Sequence, residues 1–332
     1  MIMAGNAGLG RGTPVRNALI LVNPAAGHGQ GKRWLDAFRD LTAEDAGASH
    51  LQVRVTRADP TPILGEDNHC PWQKVFVVGG DGTISRVVKG LLRYRPIPHI
   101  GVVPVGTGND LARSLGLYEG RPWSWNEARE YLMSERLKPV DLWMVNQKST
   151  FHNYMSLGLD ASVVRGFSRA RAVIQRHPTW GRRPVYFSIY LMVWLGHMGS
   201  RLPAGSELSW EDEKGGRGSM SLQRARVVAI TNTPYYAAGS LMAPEARVDD
   251  GVLEVTSFGN MRQYAELMAM RFAFMAGKGV QNRWRRLRAR SLRIKLPEET
   301  AVQLDGEDET EDLGLPGTLT IERAGSINII LK

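Results

Sequence analysis

The sequence predicts an α/β fold: an N-terminal open parallel sheet of the Rossmann-like type, followed by a mainly antiparallel β-sandwich domain. Three observations carry this. Short, continuous apolar runs in the first 140 or so residues alternate with helical patterns; three of those runs end in glycine-rich turns; and beyond Val140 the texture changes to closely spaced strand-like runs. A chain of 332 residues is long enough for two domains, each with its own core.

The first run, Ala18 to Val22, has no polar position, as a strand covered on both faces requires. Val75 to Val78 and Ile100 to Val103 repeat the pattern, and Val53 to Val55, interrupted by Arg54, is read as a further strand of the same kind. Ile84, Val87, Val88, Leu91 and Leu92 form an i, i+3, i+4, i+7, i+8 stripe directly after a glycine turn, which predicts an amphipathic helix. Downstream strands are predicted at Leu142 to Val145, Val227 to Thr231, Val252 to Ser257, Leu292 to Leu296, Ala301 to Leu304, Leu319 to Ile321 and Ile327 to Leu331. Helical segments interrupt them near Val185 to Met198 and Met261 to Ala276, and Glu211 to Gly218 reads as a hairpin tip or a mobile loop. Residues 1–17 form a flexible lead-in without the apolar core of a signal peptide, 18–141 the nucleotide-binding domain, and 142–332 the β-rich domain, whose last strands are free to return to the first.

A formal charge of +9 favours an anionic partner without choosing among phosphate compounds, acidic membranes and nucleic acid. One cysteine, Cys70, excludes an internal disulfide and a cysteine-based zinc cluster and fits a reducing cytoplasm. The apolar stretch from Val185 to Met198 is shorter than the roughly 20 residues that span a bilayer, so membrane contact is expected to be peripheral. Lys278 to Lys295 holds eight basic and no acidic residues around Trp284. Arg283, Arg285, Arg286 and Arg288 of that run suit an anionic membrane surface, or else a solvated linker. No RNP, helix-turn-helix or zinc-finger signature accompanies the charge, so no nucleic-acid partner is expected.

The turns are the chemical core of the sequence. Asn23 to Lys32 carries Gly27, Gly29 and Gly31; Gly79-Gly80-Asp81-Gly82-Thr83 follows the third run; Gly106-Thr107-Gly108-Asn109-Asp110 follows the fourth. At the carboxyl ends of parallel strands such turns bring backbone N–H groups and helix N-termini close to a phosphate. Thr83, Thr107 and Asn109 add side-chain donors. One such turn would more often be only a turn; three, two of them carrying aspartate, point to phosphate binding, although none matches the P-loop or the G-x-G-x-x-G pattern.

Taken with Val140-Asp141, Asn153-Tyr154-Met155-Ser156-Leu157-Gly158-Leu159-Asp160-Ala161, Val248-Asp249-Asp250-Gly251 and Asp305-Gly306-Glu307, these turns resemble, in order, the motifs of the diacylglycerol kinase superfamily. That group includes diacylglycerol, sphingosine and ceramide kinases and bacterial soluble lipid kinases. The resemblance implies that ATP is cradled by Asn23, Gly27, Gly79, Gly80, Asp81, Gly82, Thr83, Gly106, Thr107, Gly108 and Asn109, with Thr56 helping from the end of an earlier strand. It implies a catalytic Mg²⁺ network of Asp81, Asp110 and Asp141, and a structural Mg²⁺ on Asp250 and the carbonyls of Arg247 and Val252. A lipid hydroxyl needs a proton acceptor; the D-G-E motif offers Asp305, the preferred base, or Glu307. The family usually continues D-G-E with proline, whereas an acidic stretch follows here, which leaves the shape of that loop open. The implied activity is ATP-dependent phosphorylation of diacylglycerol at a membrane surface, with a sphingoid base, ceramide or phosphatidylglycerol as alternative acceptor. A non-catalytic lipid-binding scaffold is the reading from another class, and a homodimer is left open.

Overall fold

The computed structural model describes residues 15–46, 48–56, 64, 70–106, 108–174, 192–193, 195–197, 199–263, 265–266, 269, 284 and 286–332. Thr107, Arg283 and Arg285 lie outside them, as do most of the helical segments expected near Val185 to Met198 and Met261 to Ala276.

The N-terminal half is built on strands β1 (Val15–Val22), β2 (Ala48–Val55), β3 (Lys74–Gly79) and β4 (His99–Pro104), all parallel and ordered β2-β1-β3-β4. Ala18 to Val22 and Val75 to Val78 are fully buried, as helices on both faces demand. Helix α1 (Gln30–Phe38) follows β1, α2 (Asp81–Leu91) follows β3 and the short α3 (Asp110–Ser114) follows β4. The stripe Ile84, Val87, Val88 and Leu91 packs into the sheet core. Helix α4 (Trp125–Leu132) begins with a capping box in which Ser124 and Glu127 satisfy each other's backbone N–H groups.

Strand β5 (Leu137–Val145) leads out of this domain, and β6 (Ser149–Phe151), β7 (Tyr154–Gly158) and helix α5 (Leu159–Ile174) follow. Then come β8 (Glu207–Glu211), β9 (Arg217–Ser221), β10 (Val227–Thr231), β11 (Tyr235–Tyr236), β12 (Ser240–Leu241) and β13 (Leu253–Phe258). Strands β14 (Arg286–Ala289), β15 (Ser291–Leu296), β16 (Val302–Leu304), β17 (Glu307–Asp308) and β18 (Gly317–Ile330) complete the chain. A six-stranded sheet, β14-β13-β10-β7-β16-β17, faces the β5, β15, β18 and β8 region of the first sheet. Trp143, Phe151, Met155, Ile230, Leu253, Ile294, Leu304 and Leu319 fill the space between the two sheets.

The long strand β18 joins the halves. Its early residues pair antiparallel with β15, its later ones with β5, and Ile329 pairs in parallel with Ile100 of β4. The register shifts between Arg323 and Gly325, a bulge within its ladder with β5. A division between residues 141 and 142 therefore falls inside β5, and the last strand lies in the nucleotide-domain sheet as well as in the sandwich.

Candidate functional site

From β1 the chain crosses to β2 on one side and then to β3 on the other, so the crevice beyond the carboxyl ends of β1 and β3 is the topological switch point of the sheet. The three glycine turns meet there. A Cβ on Gly27, whose φ is +58°, would lie 2.0 Å from the Val105 carbonyl oxygen, and a Cβ on Gly106 would lie 2.2 Å from Gly80 Cα. The turns thus pack backbone against backbone. Asn23 Nδ2 donates to Thr83 Oγ1 at 2.8 Å and ties the first turn to the second. Thr56 directly follows β2, its N–H donating to the Val22 carbonyl at 2.8 Å. Asn109, expected to donate to a phosphate, closes its own turn instead. Its Nδ2 donates to the Gly106 carbonyl at 2.7 Å and its Oδ1 accepts the Gly106 N–H at 3.1 Å, because a left-handed residue (φ +57°) at a helix start needs that brace.

The structure unites Asp81 and Asp110 and sets Asp141 apart. Asp81 stands at the N-terminus of α2, and its carboxylate accepts the N–H groups of Asp110 (2.8 Å) and Leu111 (3.3 Å), capping α3. Burial pushes the Asp81 carboxyl up. Asp110 is fully buried; burial first, then repulsion from Asp81, pushes its carboxyl up to about 7. Its Oδ2 accepts the Ala238 N–H at 2.8 Å, while its buried Oδ1 has no hydrogen-bond partner. The donating segment is strained: Ala237, Ala238 and Gly239 all have positive φ, at roughly 1–2 kcal/mol for each non-glycine residue. An orphaned carboxylate oxygen beside a second carboxylate fits one divalent cation, and Asp110 and Asp81 are the residues that would hold it.

Asp141 belongs to another cluster. Its carboxylate accepts the Gly251 N–H at 2.6 Å and pairs with Arg323 Nε at 2.6 Å. Asp250, expected to ligate a structural metal, accepts the Val252 N–H at 3.1 Å and pairs with Arg288 at 3.0 Å. Arg288 also pairs with Glu213 and Glu254, and Asp249 pairs with Lys138 and Arg247. Arg288 alone serves three of these carboxylates, and burial pushes the Asp250 carboxyl up. The same contacts commit Arg288, one of the arginines read as facing lipid, to the protein itself.

Asp305 sits at the left-handed corner (φ +51°) between β16 and β17 and is 2% exposed. Its carboxylate accepts the N–H groups of His152 (3.1 Å), Asn153 (2.9 Å) and Tyr154 (3.0 Å) and faces His152 Nδ1 at 3.0 Å. Burial works to raise its pKa, but the His152 ring and the N–H groups of Tyr154 and His152 outweigh it and hold the carboxyl below its usual value. Glu307 is only partly buried, and its Oε1 lies 3.3 Å from where a Cβ on Gly82 would stand. Of the two acidic residues of the motif, Glu307 is thus the one that faces the second glycine turn.

Between the halves lies a cavity of about 220 Å³ lined by Asp81, Gly108, Tyr154, Asp160, Ala238 and Gly306, among others. The Tyr154 phenol is pushed well above its usual pKa, by burial first and then by Asp110, Asp81, Asp160 and Asp305, and so stays a neutral donor. A chain of bonds backs the far wall. Gln303 Nε2 donates to Ser156 Oγ at 2.9 Å, Ser156 Oγ donates to Asp160 Oδ2 at 2.8 Å, and the Tyr236 hydroxyl donates to the same oxygen. Tyr154, Ser156 and Asp160 stood in a recognised motif without roles. Tyr236 and Gln303 carry no sequence signal at all, since only strand pairing brings them here.

A parallel nucleotide-type domain sharing two strands with an antiparallel sandwich, with carboxylates gathered at their seam, defines the class of this protein. Residues 17–145 match the family model of the diacylglycerol kinase catalytic domain, and residues 215–325 match the YegS C-terminal NAD kinase beta sandwich-like domain. Human diacylglycerol kinase theta is 26% identical over 340 residues, which cover 92% of this chain but 34% of that protein, so the chain spans about a third of that relative. The "probable lipid kinase YegS-like" of Pseudomonas aeruginosa is 26% identical over 274 residues, 80% of this chain and 81% of that one. A crystal structure of a diacylglycerol kinase from Bacillus anthracis superposes with a TM-score of 0.63 at 20% identity, over 97% of this chain and 98% of that one, a likeness of fold. The chain belongs to the diacylglycerol kinase superfamily of lipid kinases.

Proposed function

We propose that this protein is an ATP-dependent lipid kinase that transfers the γ-phosphoryl group to the hydroxyl of diacylglycerol, giving phosphatidic acid. The observation that carries the reading is the seam itself. Glycine turns at a topological switch point face, across a carboxylate-lined cavity, the hairpin that bears Glu307. The turns hold the ATP phosphates through backbone N–H groups at the start of α2, where the helix dipole favours negative charge. Mg²⁺ held by Asp110 and Asp81 would supply charge neutralisation on the phosphates.

The motif makes Asp305 the preferred base, and its environment argues for a different role. A carboxylate that already accepts three N–H groups and is held at low pKa accepts a further proton poorly. In this reading Asp305 anchors the His152–Tyr154 segment, and Glu307 takes the proton as the acceptor oxygen bonds to phosphorus and ADP leaves. Tyr154 orients the incoming hydroxyl. At about 220 Å³ the cavity is smaller than the roughly 300 Å³ at which drug-sized pockets begin, so it admits a glycerol-sized end while the acyl chains remain outside, at the membrane. Among the described residues no helix is long and apolar enough to cross a membrane.

Radiolabelled ATP and Mg²⁺ with a panel of lipids in mixed micelles tests this. Diacylglycerol should be labelled most; labelling of a sphingoid base, ceramide or phosphatidylglycerol instead would move the substrate, and labelling of none would overturn the kinase reading.

A further inference from the structure

The acidic stretch after D-G-E, where the family pattern has proline, has a definite arrangement. Residues along a strand alternate faces. Glu307 and Glu309 point toward α2, whereas Asp308 turns away, accepting the Thr310 hydroxyl at 2.6 Å and lying 3.8 Å from Arg165 of α5. On α2, Gly82 and Lys89 are seven residues apart, nearly two full turns, and so share one face. Gly82 meets Glu307, and Lys89 pairs with Glu309. Glu309 is 10% exposed at its side chain, and its other oxygen accepts the Ser149 hydroxyl at 2.8 Å. Its N–H donates to the Val302 carbonyl at 3.0 Å, which ties it to the base of the hairpin. Thus one ion pair links the helix that starts at Asp81 to the hairpin that carries Asp305 and Glu307.

We propose that Lys89 and Glu309 form a positioning clamp that sets the D-G-E hairpin against the N-terminal end of α2 for phosphoryl transfer. The proposal rests on the kinase reading above for its catalytic consequence, though not for the clamp itself. Neither residue touches the reacting atoms; they act through the placement of Glu307. Without Lys89, a largely buried Glu309 carboxylate keeps Ser149 and loses its cation, so the hairpin must shift to rehydrate it. A shift on the order of 1 Å at the reacting groups costs roughly 100-fold in rate.

The test compares Lys89→Gln, Glu309→Gln, the double neutral variant that combines them, Lys89→Arg and the charge-swapped double variant Lys89→Glu with Glu309→Lys, by steady-state kinetics and thermal melts. Both single neutral variants should lose about 10-fold or more in kcat. Their KM for ATP should stay within about twofold of wild type, because the glycine turns are untouched. Lys89→Arg should retain most of kcat, and the swap should recover much of what the single variants lose. Single variants with wild-type kcat, or losses that neither arginine nor the swap relieves, would overturn the clamp. If the wild-type protein phosphorylates no lipid, the kinase reading fails by itself, and the melts still decide the clamp. Tm losses in Lys89→Gln and Glu309→Gln that fail to add in the double neutral variant support it, and strictly additive losses overturn it.

Discussion

Replacing Asp305 by Asn separates an anchoring role from a basic one. The two N–H groups on Oδ1, from Asn153 and Tyr154, would keep an acceptor but lose its charge. Charge-assisted bonds contribute roughly 1.5–3 kcal/mol each and neutral ones about 0.5–1.5, so this side loses about 2 kcal/mol. At Oδ2 the new amide would direct hydrogens at the His152 N–H. An unsatisfied buried donor costs a further ~1–3 kcal/mol. The sum, on the order of 3–5 kcal/mol, corresponds at roughly 1.4 °C per kcal/mol for a chain of 332 residues to a fall in Tm of about 4–7 °C. Circular dichroism melts at pH 7.5 read the loss directly, and kcat on the preferred lipid is measured below the transition. The companion variant Glu307→Gln should leave Tm close to wild type and lower kcat by roughly 10²–10⁴. An Asp305→Asn protein that melts like wild type while losing kcat a hundredfold, beside a Glu307→Gln protein that works normally, would refute the reasoning and restore Asp305 as the base.

Two other predictions concern the nucleotide half. With its carboxyl pushed up to about 7 in the folded chain against 3.8 for the unperturbed group, Asp110 binds a proton more tightly folded than unfolded. Its contribution to stability is therefore complete below about pH 4 and is lost as pH rises through 7. In chelator, wild type should lose more Tm than Asp110→Asn between pH 5.5 and 8, and equal slopes would count against the assignment. Gly106→Ala would drive a Cβ to 2.2 Å from Gly80 Cα, so the second and third turns must separate. We expect ATP-induced stabilisation to disappear and the folded state to be destabilised by an amount on the order of that seen for an overpacked core, ~1–3 kcal/mol; an unchanged ATP response in a thermal-shift assay would show that the turns do not form one cradle.

Much of the architecture was legible because its causes are local. Strands buried on both faces need unbroken apolar runs, and the runs at Ala18, Val75 and Ile100 have no other economical explanation. The helix stripe on α2 and the glycine turns follow from periodicity and from backbone approach. The adjacency of Asp81 and Asp110 could be expected from two turns at neighbouring strand ends. The division at Asp141 was less legible, because β5 reads as one strand wherever its two ends belong.

What the sequence by itself determined was the set of elements, their order and the chemical types at the strand ends, since periodicity and turn chemistry act within a few residues. Only the tertiary structure decided which polar atoms remain available. Asp305 and Asp110 are both buried aspartates at turns, yet one has its oxygens filled by N–H groups from β7 and the segment before it, and the other keeps an orphan oxygen. Asp141 and Asp250 resemble metal ligands in one dimension and become ion-pair partners once β18 and β14 bring Arg323 and Arg288 beside them. The reason is physical: a carboxylate's role depends on its remaining lone pairs and on the charges around it, and the arginines beside Asp250 and Asp141 arrive from 38 and 182 residues away.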